Sequence, residues 1–499
     1  MMYRHAAVVA CLYMLIAAAA CPEATAASTS GKDTNRIDAC LPFTMPDPAA
    51  LFASPKKVFA HYFYPFPLQF DNKPPSQDYY NHNYLNPNGE SGKWAAKGGF
   101  LRQRPLPVSA AAGANYQLLN MEQEVRMAIA RGITGFTFDA LGAKEADADS
   151  NLHRLLSAAQ AVDSRFKIVV MPDLTALKSD ADAVTRIIAS VASSPSAYRL
   201  DDGRLVVTAF NASQNPPEWW ASVFAQLKLQ GINVAFVPTF LGWQGHAKAY
   251  AGISDGFGDW GTATAFVSDR MKGDPAVAHN YGKIFMMPVD PQQFRPRDGI
   301  YVEANNSDTF RNAWTSAIGG GADWVQIVTW SDFSESSEIE PYTDATLRRD
   351  IGTGFYDLNA FYATWFLLGK QPPITHDVLY YFYRREPTNA ASPSQTPFKP
   401  GSNATPADNI ELLAFLTAPG VVTISIGGHN FTQNASAGIT SFKVPTQQGV
   451  PIFSLARDGS TVFSFQAPVQ VFGPGGLPSG LVDLTYWSGS ASKDGICSL

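Results

Sequence analysis

Two acids that could do chemistry together follow one apolar run. Trp324-Val325-Gln326-Ile327-Val328-Thr329-Trp330 has the length and β-branched content of a buried strand, and Ser331-Asp332-Phe333-Ser334-Glu335-Ser336 comes directly after it. Asp332 and Glu335 stand three residues apart. A pair of carboxyl groups is the equipment of glycoside hydrolysis: one acid protonates the leaving oxygen while the other activates water or attacks the sugar. In a loop or extended conformation the two carboxyls could stand the ~6.5–9.5 Å apart that admits a water, and in one helical turn they would be nearer. A plainer reading competes, in which Ser331 or Asp332 caps a following helix.

The sequence excludes several other chemistries. It contains no Walker loop, no G-x-S-x-G elbow and no H-E-x-x-H. Its eight histidines are scattered without ligand spacing, so neither a catalytic metal nor another cofactor is expected. A net charge of -6 argues against nucleic acid and for a neutral partner such as a polysaccharide or oligosaccharide. The 10 Trp, 19 Tyr and 32 Phe suit stacking on sugar rings, although cores use aromatics as readily.

Elements that could position the acids recur along the chain. Val58 to Tyr64 is a strand stopped by Pro65, and about fifty residues without helical periodicity follow, read here as one wall of a cleft. A helix is predicted over 120–131, with Asn120 and Gln123 as a capping pair. Strands at 135–138, 167–172, 204–210, 233–240, 256–258 and 283–289 then alternate with helices at 151–162, 180–192, 216–231 and 308–318, the last capped by Ser307. With the run at 324–330 this makes eight strands and predicts a (β/α)8 barrel, class α/β. An open doubly wound sheet would require a Gly-rich turn after the first strand, and there is none. His61, Tyr62, Asp139, Asp173, Asn211, Trp243, Asp259, Trp260, Asp290 and Trp330 lie at or just past strand ends, where a barrel gathers substrate-binding groups. Beyond 372 only short strands separated by Gly, Pro, Asn and Ser remain, which predicts a C-terminal β-sandwich. The domain boundaries expected are a barrel over 53–371 and a sandwich over 372–499.

The N-terminus reads as a processing signal. Arg4 and His5 precede an apolar run, and Ala24-Thr25-Ala26 is an A-x-A cleavage pattern, so 1–26 is a predicted signal peptide and 27–52 an arm. Ala18-Ala19-Ala20-Cys21 also matches a lipoprotein box, which would instead place a lipid on Cys21. No later run approaches the ~20 residues of a membrane helix. The protein is therefore expected to be exported, and to be a monomer. In an oxidising compartment the two cysteines left after cleavage, Cys40 and Cys497, are predicted to pair.

The chain resembles glycoside hydrolase family 71, the α-1,3-glucanases or mutanases. The resemblance rests on Val58-Phe59-Ala60-His61-Tyr62, Arg131-Gly132-Ile133-Thr134-Gly135-Phe136, Asp255-Gly256-Phe257 ahead of Trp260, and above all Ile327 to Ser336, similar to the signature I-T-W-N-D-Y-x-E-S. It implies an inverting endo-glucanase whose acid pair falls on Asp332 and Glu335. Glu335 is expected as general acid and Asp332 as general base, an order that could be exchanged. Ser331 departs from the family's Asn, Asp139 stands where members often carry Asn, and the 65–119 loop is long for the family. The alternatives are a retaining barrel glycosidase acting on another glycan such as an α-mannoside, and a carbohydrate-binding protein without catalysis.

Overall fold

The computed structural model describes residues 40–261, 263–344, 351–474, 477 and 480–497. The expected signal peptide and Cys21 lie outside them. Nine parallel strands form one curled sheet: β1 Lys57–Tyr62, β2 Gly135–Ala140, β3 Lys167–Pro172, β4 Leu205–Val207, β5 Val234–Phe236, β6 Thr239–Phe240, β7 Gly256–Asp259, β8 Ile284–Val289 and β9 Trp324–Ile327. Their hydrogen-bonded order is β5-β4-β3-β2-β1-β9-β8-β7-β6. The two ends of this order, β5 and β6, are consecutive pieces of the expected fifth strand, interrupted at Val237-Pro238. Proline has no N–H to donate to a ladder, so the strand breaks where it stands.

Side chains alternate across the sheet with period two, and this sorts every strand. Val58, Ala60 and Tyr62 of β1 join Phe136, Phe138, Ile168, Val170, Phe257, Phe285 and Ile327 in the large core beneath the helices. Phe59 turns the other way, into a smaller cluster with Val169, Val206, Ala235, Met286 and Trp324. Both faces are apolar, so these strands read as near-continuous hydrophobic runs.

Helices fall close to expectation at Asn151–Val162, Ala181–Val191, Pro217–Leu229 and Asp308–Gly320. The first long helix is Tyr116–Ile129, so Asn120 is an interior residue and its amide donates to Gln69 Oε1 at 3.3 Å rather than capping. Ser307 precedes the helix at 308, but its hydroxyl accepts from Arg311 Nε at 2.8 Å and makes no cap bond. A further helix, Gly354–Leu368, is buried along nearly its whole length and so carries no amphipathic period. No helix among the described residues is long and apolar enough to cross a membrane.

The C-terminal region holds separate antiparallel sheets, one of five strands and one of four. Val378–Arg384 lies in the middle of the five-stranded sheet and is buried throughout. Its alternate residues serve two cores: Phe382 meets Phe355 of the 354–368 helix at 5.0 Å, while Tyr381 stacks on Phe453 of the four-stranded sheet at 5.5 Å. Tyr486–Ser492 flanks Val378–Arg384 in the five-stranded sheet, and His429–Ala435 is an edge strand of the four-stranded one. The expected disulfide between Cys40 and Cys497 is present.

The 65–119 segment differs most from expectation. Phe66, Tyr80, Leu85 and Leu101 are buried with Phe333, Tyr383 and Trp487 in the core shared with the C-terminal sheets. Gln103–Pro105 pairs with Tyr342–Asp344. Much of the segment's aromatic and aliphatic surface is thus consumed in packing, and the residues that line the cleft described next come from elsewhere.

Candidate active site

A cleft of about 510 Å³ opens where the parallel strands end. The alternation of each strand decides what enters it. On β1 the residue after inward-facing Phe59 on the same face is His61, which lines the cleft. Asp139, Asp173, Phe210, Leu241, Trp260, Asp290 and Asp332 enter from successive strand ends, and Glu335 joins them.

The remaining expected site residues lie on the opposite parity or in the following turn. Tyr62 points under the helices and donates to Glu124 Oε2 at 2.8 Å. Trp330 packs on Phe136 at 5.4 Å in the same layer. Trp243 is fully buried against Phe257 and Phe285. Asp259 accepts from the backbone N–H groups of Gly242 and Trp260, at 2.9 and 3.1 Å, and so holds the loop that presents Trp260. Asn211 turns its amide to Gln214 Oε1 at 3.1 Å.

The turn bearing the acid pair is closed by the backbone. Thr329 N donates to Ser337 O at 2.8 Å, and Ile339 N to Thr329 O at 3.0 Å. Inside it Asp332 Oδ1 accepts from Ser334 N at 2.9 Å, Ser334 Oγ at 2.6 Å and Glu335 N at 3.2 Å. Asp332 is therefore a cap of this tight turn as well as a cleft residue; the segment is neither an extended strand nor a helix. Phe333, between the acids, is buried in the core shared with the C-terminal sheets and anchors the turn from behind.

The two acids meet different environments. Burial raises the Asp332 pKa above the ordinary carboxylate value, against opposing contributions from the Ser334 hydroxyl, His61 and Arg297. Glu335 is ion-paired with Arg295, and its Oε2 accepts from Gln293 Nε2 at 2.7 Å. Around them, burial followed by the Asp139 charge raises Asp173 to about 6, and burial followed by Asp259 raises Asp290 well above normal. His61 Nε2 lies 3.7 Å from Asp139 Oδ2, and its ring meets the Trp260 indole edge-on at 4.7 Å. Gly261 has φ +83°, and an added Cβ would come within 2.5 Å of Asp290 Oδ2. Only a glycine leaves the Asp290 carboxyl its space.

Sequence reasoning missed Gln293, Arg295, Arg297, Gly401 and Ser402, all of which line the cleft. Phe210 and Leu241 could have been found from strand parity; these five carry no local signal. Among the described residues no group of three or more His, Cys, Asp or Glu is arranged to hold a metal ion.

The family described as Glycosyl hydrolase family 71 matches residues 110–496. Glucan endo-1,3-alpha-glucosidase agn1 of Schizosaccharomyces pombe is 26% identical over 373 residues, covering 71% of this chain and 87% of that protein. Mutanase Pc12g07500 of Penicillium rubens is 25% identical over 382 residues, covering 72% and 82%. Among solved structures, the GH99 endo-alpha-mannosidase from Bacteroides thetaiotaomicron is 17% identical with a TM-score of 0.47, over 62% of this chain and 97% of that one. With most of its length matched, the cleft carboxyl pair inside the match, this chain belongs to glycosyl hydrolase family 71 and is a glycoside hydrolase.

Proposed function

We propose that this protein is an exported endo-acting α-glucan hydrolase that cleaves α-1,3 linkages with inversion at the anomeric carbon. The observation that carries the reading is the pair itself: Asp332 and Glu335 line one cleft at the strand ends, in unlike environments. The names of the two curated relatives support the substrate, and the leader-like residues 1–26 with the Cys40–Cys497 disulfide support export. Also part of the reading are closure of the parallel sheet into a (β/α)8 barrel through the split β5–β6 strand, packing of the C-terminal sheets as a sandwich, and a monomeric state. His61, Asp139, Asp173, Trp260 and Asp290 are the proposed sugar-binding groups.

The environments support exchanging the roles expected from the resemblance. Burial shifts Asp332 toward its protonated form, which suits it better than Glu335 to give a proton, so Asp332 is the proposed general acid. A carboxylate beside a guanidinium stays ionised, so Glu335 is the proposed general base. Water donates a proton to Glu335 as its oxygen attacks the anomeric carbon. The glycosidic oxygen departs with the Asp332 proton, leaving a sugar of inverted configuration.

Hydrolysis of α-1,3-glucan by Asp332→Asn and Glu335→Gln tests the pair, each variant expected to lose at least ~10²-fold. A matching α-glycosyl fluoride, whose leaving group needs no acid, separates the roles. Asp332→Asn should still hydrolyse the fluoride and Glu335→Gln should not. The reverse pattern would restore the original order, and full activity of both variants on glucan would remove the pair. Product anomers followed by NMR report inversion.

A further inference from the structure

We propose that Arg295 and Gln293 are positioning residues for Glu335, and that the C-terminal segment Phe398–Ser402 holds them in place and so belongs to the catalytic apparatus. This rests on the reading of Glu335 as a catalytic carboxyl.

A short hairpin follows β8. Gln293–Arg295 pairs antiparallel with Ile300–Val302. Residues one apart in a strand face opposite ways, so Gln293 and Arg295 share one face and Phe294 takes the other. On the cleft face, Gln293 Nε2 donates to Glu335 Oε2 at 2.7 Å and Arg295 pairs with Oε1. Phe294 N donates to Glu335 O at 2.7 Å. Both carboxylate oxygens and the backbone of Glu335 are therefore fixed by three consecutive residues.

Two-stranded hairpins are marginal on their own. This one is completed from a distant part of the chain: Lys399–Pro400 adds a third strand, parallel to Ile300–Tyr301. Lys399 N donates to Gly299 O at 2.9 Å, and Gly401 N to Tyr301 O at 2.7 Å. Behind the hairpin, Phe294 is buried with Tyr301, Val482 and Leu484, and its ring meets Phe398 at 4.9 Å. The same segment then runs into the cleft, where Gly401 and Ser402 form part of the wall. The C-terminal region thus reaches the reacting groups twice, once through the clamp on Glu335 and once directly.

The test uses the full chain and α-1,3-glucan, with kcat, KM and the pH dependence of kcat/KM measured for Arg295→Met, Arg295→Lys, Phe398→Ala and Glu335→Gln. Removing the guanidinium makes the Glu335 anion less favourable, so the limb governed by Glu335 should move by about one unit to higher pH in Arg295→Met, further than the limb governed by Asp332, which Arg295 also attracts but does not pair with. Its kcat should fall at least about tenfold, a cost of the order of a misplaced catalytic group. Arg295→Lys should recover most of the limb position, because the charge remains. Phe398→Ala, distant from the carboxyl, should lower kcat more than it raises KM. Where Arg295→Met does not fold, as judged by circular dichroism, Gln293→Leu replaces it and should lower kcat likewise. Profiles of the Arg295 and Phe398 variants superimposing on wild type, with Glu335→Gln inactive, would overturn this inference and leave the proposed function standing. An active Glu335→Gln would overturn both.

Discussion

Replacing Glu124 by Gln should make the stability of this protein less sensitive to pH. Glu124 lies on the Tyr116–Ile129 helix, buried at 1% exposure, with Oε2 accepting from the Tyr62 hydroxyl at 2.8 Å. Burial raises its pKa from 4.5 to about 8. Glu340, fully buried, is also raised well above normal, first by burial and then by Glu124. A carboxyl with a folded pKa above its unfolded one keeps its proton in the fold while the unfolded chain releases it. The contribution of Glu124 to stability is therefore full below pH 4.5, falls as pH rises through the interval, and levels off above the folded value. Over the two units from pH 4.5 to 6.5, one such proton is worth about 2 kcal/mol. The amide oxygen of Gln still accepts from Tyr62 and does not titrate. Denaturant unfolding at both pH values should therefore show the variant gaining about 2 kcal/mol on wild type between them. A stability difference that is the same at both pH values would refute the reasoning and mean that Glu124 is ionised in the fold.

Two further outcomes are expected. Gly261→Ala should cut kcat/KM at least tenfold, since the new Cβ would lie 2.5 Å from Asp290 Oδ2 at a φ of +83°; the strained backbone should also lower stability by about 1–3 kcal/mol in the same unfolding assay. Arg131→Met should destabilise by about 3–5 kcal/mol, because it strips the buried Asp357 of its guanidinium partner. In wild type both Nε and Nη2 of Arg131 donate to Asp357 Oδ1, at 3.0 and 2.9 Å. The double variant Arg131→Met/Asp357→Leu should recover most of that loss in thermal unfolding.

The stretches that carry the family resemblance have identifiable physical work in the fold. Arg131 ties the end of its helix to the 354–368 helix through Asp357, and Gly132, at φ +79°, ends the helix where a Cβ would meet Ala363 at 3.1 Å. Thr134 both accepts from Val58 N and donates to Val58 O, at 3.0 Å each, so it sets β2 beside β1. Asp255 accepts from Phe236 N at 3.0 Å and pairs with Arg204 at 2.6 Å, joining β5 to the approach of β7.

Much of this was legible in the residues because periodicity reports how a residue faces its own element. Val58-Phe59-Ala60-His61-Tyr62 already separates His61 from Tyr62 by parity, and the same alternation would have set Phe210 apart from Asn211 and Trp260 from Asp259. Strand length was harder to read. The run at 233–240 looks continuous, yet Pro238 divides it, and the aromatic residues of 65–119 carry no period that tells a cleft wall from a buried wedge.

Residue order alone places Asp332 and Glu335 three residues apart after an apolar run of strand length, in a chain of alternating strand and helix patterns. What surrounds each of them follows from contacts between distant parts of the chain. Asp332 caps its own turn, a local arrangement, whereas Glu335 is held by Gln293 and Arg295 on a hairpin that Phe398 and Lys399–Pro400 complete. Local sequence fixes dihedral preferences and faces; which distant elements meet depends on how the remaining apolar surface is buried. The charge opposite Glu335 is a consequence of that second process.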